Sequence, residues 1–207
     1  MKLILLAAVL AAAPACSKKQ EESTKQPEGS AQVSKPGSAA TPVETAEYID
    51  VSGEHKKRKD TDPVVVHFDK FKVTKATFDP AKIEGGTASI EVDLASLKTG
   101  SKQRDEHLKG PDYIDVGTLA RMTIDVDNVK LSSGKSYTAD ANVKLHGAEK
   151  KYAVTFDVVD AKDDWIKIKG EHKFPRADFK IGKDPADPDE SVAAEITIKV
   201  ALTLKKT

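Results

Sequence analysis

The sequence predicts an all-β fold: a closed antiparallel β-barrel of about eight strands with one short helical crossover near residues 101–110. Three observations lead there. Most of the chain beyond residue 70 alternates apolar and polar side chains with a period of two, the pattern of strands with one dry face. Short turns rich in Gly, Ser and Asp separate the alternating stretches, so consecutive strands run antiparallel. Long one-sided strands of this kind favour closure, because a closed wall has no exposed edge to protect. A β-sandwich satisfies the same alternation and stays as the second architecture.

At the N-terminus, Met1 and Lys2 lead into an apolar run, Leu3 to Ala13. It is long enough for the core of a signal peptide and too short to span a bilayer, so residues 1–15 are expected to be a signal peptide. Cys16 is the one cysteine in 207 residues and cannot serve an intramolecular disulfide. Its setting, Ala13-Pro14-Ala15-Cys16-Ser17, resembles the lipobox of bacterial lipoproteins, in which the cysteine becomes the lipidated N-terminus. The other reading is secretory cleavage at an A-x-A-like site, leaving a free thiol, which is a liability in an exported protein. At about 0.8 kcal/mol per buried methylene, two or three acyl chains anchor a protein stably. Ser17 at the next position is similar to an outer-membrane sorting signal. The expected location is therefore the periplasmic side of a bacterial envelope, held to the membrane, the outer one, through an N-terminal acyl anchor.

Residues 16–45 combine the lipidated cysteine with Pro, Gly, Ser and alternating charges, the composition of a disordered tether. Residues 46–207 are long enough for one domain with a full core. Lys plus Arg and Asp plus Glu number 33 each, so no bulk field attracts nucleic acid and no such partner is expected. The basic run His55-Lys56-Lys57-Arg58-Lys59 either touches anionic head groups or cell-wall polymers, or is a solvated domain edge.

The strands follow in order. Phe71 and Val73 sit among Lys70, Lys72 and Thr74; Ala88, Ile90, Val92 and Leu94 alternate with Ser89, Glu91 and Asp93; Met122, Ile124 and Val126 alternate with Thr123, Asp125 and Asp127. Tyr137 to Leu145, Tyr152 to Val158, Ile166 with Ile168, and Val192 to Leu204 continue the register. The inward rows mix Ile, Val and Leu with Ala88, Ala120, Ala139, Ala141 and Ala194, while aromatic residues make up only 5% of the chain. A barrel of this size either fills with its own side chains or holds one small ligand; large rings that would plug it are scarce here, and small residues fit either case. The alternation nominates Ile90, Val92, Leu94, Met122, Ile124, Val126, Val143, Leu145, Val154 and Phe156 as lining a lumen.

Between the strands, Lys102 to Lys109 has helix-forming composition, with Ser101 or Thr99 as N-cap and Gly110-Pro111 as a stop. The whole block Ser96-Leu97-Lys98-Thr99-Gly100 through Arg104-Asp105-Glu106-His107-Leu108 to Asp112-Tyr113 closely resembles the signature of the YceI-like family. Leu145-His146-Gly147 with Lys150, and Arg176-Ala177-Asp178-Phe179 with Ile181-Gly182, resemble two further family segments in the same order. The resemblance covers roughly residues 63–204.

The resemblance implies a lipocalin-like barrel, often a homodimer, whose apolar interior binds an isoprenoid or other amphiphilic lipid. It makes Arg104, Asp105, His107, Leu108, Tyr113, His146, Gly147, Arg176 and Phe179 signature residues of structural role. Four isoprene units at about 0.8 kcal/mol per buried CH₂ give roughly 12–16 kcal/mol gross, against association costs of about 4–15 kcal/mol; a long tunnel is required. The chain departs from the family where its first strand runs into the basic run at His55, and where Tyr113-Ile114 replaces paired Phe. A filled barrel that engages an envelope partner through its surface is the second functional class. Ser101, Asp105 and His107 supply the residue types of an acyl-transfer triad, but two positions apart on a helix Asp105 and His107 do not share a face, and no nucleophile elbow is present. The expected protein is not an enzyme. His55, His67, His107, His146 and His172 show no metal-ligand spacing, so no metal or cofactor is expected. Arg104 and Asp105 are expected to fasten the helical crossover to the barrel end by an ion pair or by backbone hydrogen bonds.

Overall fold

The computed structural model of the chain describes residues 46–58 and 61–207. The expected signal peptide, the lipidated Cys16, the tether up to residue 45, and Lys59 of the basic run lie outside the described residues.

The alternation becomes one antiparallel sheet of ten strands: β1 (Tyr48–His55), β2 (Val64–Phe68), β3 (Phe71–Asp79), β4 (Lys82–Asp93), β5 (Leu97–Lys98), β6 (Arg121–Ser133), β7 (Ser136–Leu145), β8 (Ala148–Lys162), β9 (Trp165–Pro175) and β10 (Val192–Lys205). Their order across the sheet is β3-β4-β6-β7-β8-β9-β10-β1-β2-β5. The alternation does not mark β2, where three consecutive valines carry no period. Nor does the basic run cut β1 short: the strand continues to His55, paired with β10 on one side and β2 on the other.

Two interruptions make ten strands where about eight were expected. Asp69 and Lys70 part β2 from β3, and a 3₁₀ turn at Leu94–Ser96 parts β4 from β5. The turn forms because the Asp93 carboxylate accepts from the Ala95 N–H at 3.0 Å, and the Ser96 hydroxyl donates to the Asp93 carbonyl at 2.6 Å. Such local bonds offer the backbone an alternative to the ladder. Pairing resumes beyond both breaks, β3 on β4 and β2 on β5. The sheet curls until the end of β10 meets β3, where the Thr207 N–H donates to the Ala76 carbonyl at 2.9 Å and the Ala76 N–H to the Thr207 hydroxyl at 3.2 Å.

The concave face carries a single hydrophobic core, each fully buried Val, Leu, Ile or Phe contributing about 1.5–3 kcal/mol. Ala88, Ala139 and Ala141 are buried as expected, but Ala120 and Ala194 are exposed. Ala120 precedes β6, its carbonyl accepting from the Leu94 N–H at 2.9 Å. Ala194 lies beside the register shift between Gly53 and His55.

The helix, α1, spans Lys102–Lys109 with Ser101 at the N-cap and Gly110 at the C-cap. Ser101 makes no side-chain capping bond. Asp105 reaches back instead, accepting from the Thr99 N–H at 2.8 Å and the Thr99 hydroxyl at 2.7 Å.

Candidate functional site: an apolar cavity beneath a polar roof

The inner faces of the strands surround a cavity of about 390 Å³, within the 300–1,000 Å³ range of small-ligand sites. Of the residues nominated by alternation, Ile90 of β4 and Leu94 of the 3₁₀ turn after it line it, with Met122, Ile124 and Val126 from β6, Val143 and Leu145 from β7, and Val154 and Phe156 from β8. Val92 is fully buried but outside the lining, in register with Phe71 and Met122. The facing wall comes from β1, β9 and β10, with Ile49, Ile168, Ile196 and Leu202 among its residues. Its alternation was equally visible in sequence for β9 and β10, yet these residues were not nominated.

Polar residues gather at the end of the sheet where β7 turns into β8. That turn is His146-Gly147, with φ of 49° and 72°; two positive φ values in a two-residue hairpin loop are the mark of a type I′ turn. The left-handed His146 is steadied by its Nδ1, 2.9 Å from the Phe179 carbonyl oxygen. Phe179 closes a 3₁₀ turn, Arg176–Phe179, whose first residue is a charged side chain only 1% exposed. Arg176 Nε donates to the Ala193 carbonyl at 3.0 Å, Nη1 to the carbonyls of Ile181 and Lys183 at 2.6 and 2.5 Å, and Nη2 to that of Val192 at 3.4 Å. Nη2 also pairs with Glu190 at 3.0 Å. Glu190, equally buried, accepts from the Lys183 and Val192 N–H groups. A buried charge pair is tolerable only when its remaining valences are met, and here backbone carbonyls and N–H groups meet them.

The loop so organised, residues 180–191, is tied to its surroundings. Gly182, at φ 70°, donates its N–H to the Asp112 carbonyl at 3.0 Å, and a Cβ there would lie 3.0 Å from Arg176 Nη1 and 3.1 Å from Tyr113 Cε1. Lys56 Nζ donates to the carbonyls of Pro185 and Asp187 at 2.8 and 3.0 Å, and Lys57 Nζ to that of Pro188 at 2.7 Å. The basic run thus holds the loop with two of its lysines.

The Arg-Asp-x-His-Leu block lies at the same end. Arg104 and His107 are exposed yet border the cavity, the His107 ring 4.9 Å from that of Tyr113, and Leu108 packs against the core. Asp105 fastens α1 through Thr99, whose hydroxyl above all holds the carboxyl below its usual range. Arg104 makes no ion pair with Asp105, so the fastening belongs to Asp105 alone. With its carboxylate on Thr99, Asp105 forms no hydrogen bond with His107, and a triad is not assembled. Among the described residues no group of His, Cys, Asp or Glu is placed to hold a metal ion.

Beside the roof, Tyr152 of β8 is the centre of an aromatic cluster with His172, Phe174 and Phe179, at ring separations of 5.3, 5.8 and 6.2 Å. Its hydroxyl donates to Asp178 at 2.8 Å; burial first, then this bond, pushes the phenol well above its usual range. Burial also lowers the pKa of His172. Sequence reasoning missed both residues as site members, because the signal that matters, aromatic contact across β8 and β9, is not periodic.

A curled antiparallel wall around an apolar cavity, roofed at one end by a short helix and a pinned loop, defines an all-β protein with an interior space of small-ligand size. The YceI-like domain model matches residues 41–204, and the chain belongs to that family. A UPF0312 protein of Azotobacter vinelandii is 24% identical over 128 residues, 59% of this chain and 67% of the relative. One from Pseudomonas syringae pv. tomato is 28% identical over 129 residues, 59% and 66% of the two chains. Among solved structures, Burkholderia cenocepacia BcnA superimposes with a TM-score of 0.68 at 23% identity, covering 77% of this chain and 96% of the other. A polyisoprenoid binding domain from Saccharophagus degradans gives 0.60 at 15% identity, covering 79% and 95%. At these identities the structural likeness is one of fold.

Proposed function

We propose that the protein holds an isoprenoid or similar amphiphile in its apolar cavity, as a carrier or sequestering module tethered to the periplasmic side of a bacterial envelope. The observation that carries the reading is the cavity of about 390 Å³ whose surface is predominantly apolar, aliphatic and aromatic side chains together. Membership of a family with a polyisoprenoid binding domain among its structural neighbours supports the ligand class. In this reading β2 with β3, and β4 with β5, serve as two bent staves, and the wall works as a closed barrel of eight; pairing across both breaks and the Thr207–Ala76 bonds support closure. The tether is Cys16, lipidated and seated in the outer membrane, and the working unit is a homodimer. A filled barrel acting through its surface fits less well, since the cavity is open and Lys56 and Lys57 are engaged by the protein's own carbonyls.

The test is extraction of protein purified from membranes of the native bacterium, followed by mass spectrometry of the organic phase. A prenyl or related lipid in near-equimolar amount is the expected result. No lipid, together with no protection of a fluorescent lipid probe from solvent, would sink the reading. Metabolic labelling with a clickable fatty acid, compared between wild type and Cys16→Ser, checks the anchor.

A further inference from the structure

Among the described residues, one buried side-chain polar atom has no hydrogen-bond partner: Nε2 of His172. His172 lies on β9 in register with Ile198 of β10, and its ring forms part of the cavity wall. The neighbouring polar groups are committed elsewhere. Tyr152 gives its hydroxyl to Asp178, and Arg176 spends its donors on four carbonyls and Glu190. Native proteins seldom leave a buried polar atom unpaired without a water, ion or ligand to complete it. The imidazole's pKa is lowered, desolvation being the cause, so at neutral pH the ring offers one N–H donor and one acceptor.

We propose that His172 recognises the polar end of the bound lipid, hydrogen-bonding an uncharged oxygen such as a hydroxyl, phenol or ketone carbonyl while the hydrocarbon lies along the aliphatic wall. The inference rests on the lipid-binding reading and makes it more specific. An anionic head group at this depth needs a counter-charge, and the buried cation beside it is already matched by Glu190. The ligand's oxygen therefore sits inside the wall, at His172, rather than in water beyond Arg104 and His107.

The test is a two-by-two comparison on the full chain: affinities for geranylgeraniol and for the hydrocarbon of the same skeleton without the hydroxyl, each measured by displacement of a fluorescent fatty acid. In His172→Phe the alcohol-to-hydrocarbon affinity ratio is expected to fall about tenfold, the scale of one buried hydrogen bond in such a cycle. His172→Gln, which keeps a donor and an acceptor, is expected to hold the ratio within about threefold of wild type. Should His172→Phe fail to fold, His172→Leu carries the same comparison. A ratio unchanged by Phe or Leu overturns the role of His172 and leaves the carrier reading standing. Failure of both lipids to bind wild type overturns the carrier reading and this inference with it.

Discussion

Arg176 is the residue on which the roof depends. It is itself part of the cavity lining, buried, charged, and answered by Glu190 and four carbonyl oxygens. Removing one member of a buried pair strands the other as an uncompensated charge, which costs about 3–5 kcal/mol. Arg176→Met is therefore expected to lower stability by about that amount in urea denaturation, whereas the double variant Arg176→Met with Glu190→Gln should recover part of the loss. A double variant no more stable than the single one would show that the guanidinium's bonds to carbonyls, not the charge pair, carry the energy. Asp105 illustrates a more local kind of fastening: one carboxylate holds both the N–H and the hydroxyl of Thr99, closing the approach to α1 within a few residues of itself.

At the scale of elements, the β7–β8 hairpin is a site where backbone and side chain cooperate. His146 adopts a positive φ that Ala disfavours and Asn tolerates, and its ring adds the bond to Phe179. His146→Ala is expected to cost about 1–3 kcal/mol, the strain and the lost bond together. His146→Asn, which relieves the strain, should cost less, and denaturant midpoints at constant m-value would compare the two. Strand existence was largely legible in sequence, because Ile90-Glu91-Val92 or Met122-Thr123-Ile124 can bury one face only as a strand. The 3₁₀ break after β4 was not, since Asp93 continues the polar half of that pattern while its carboxylate ends the ladder. The roof was less legible still. Lys56 binds carbonyls 129 and 131 positions away, and no pattern in a basic run announces such partners.

Considered as a whole, the molecule sets its buried charge pair, Arg176 with Glu190, at one end of an otherwise apolar wall that surrounds a space. Val143 stands on that wall, half-buried and facing the cavity. Val143→Trp grows into free volume rather than into a packed neighbour, so its thermal midpoint is expected to stay within about 5 °C of wild type, where overpacking of a filled core would cost about 1–3 kcal/mol. Bound lipid recovered with that variant should fall to a small fraction of the wild-type amount, measured by mass spectrometry of matched extracts. Wild-type lipid content in the variant would mean the guest lies elsewhere. The nine wall positions that alternation identified were readable because burial repeats every second residue; the single unpaired nitrogen of His172 was not, because only the folded arrangement shows which donors and acceptors are already taken.

The guanidinium of Arg176 gathers Ile181, Lys183, Val192 and Ala193 around a single cation, much as a metal ion gathers the oxygens of a binding loop. Strands of chain knotted to one point do not loosen one at a time. Opening that end of the wall thus means releasing all four carbonyls and Glu190 together, a cooperative event rather than a piecemeal fraying.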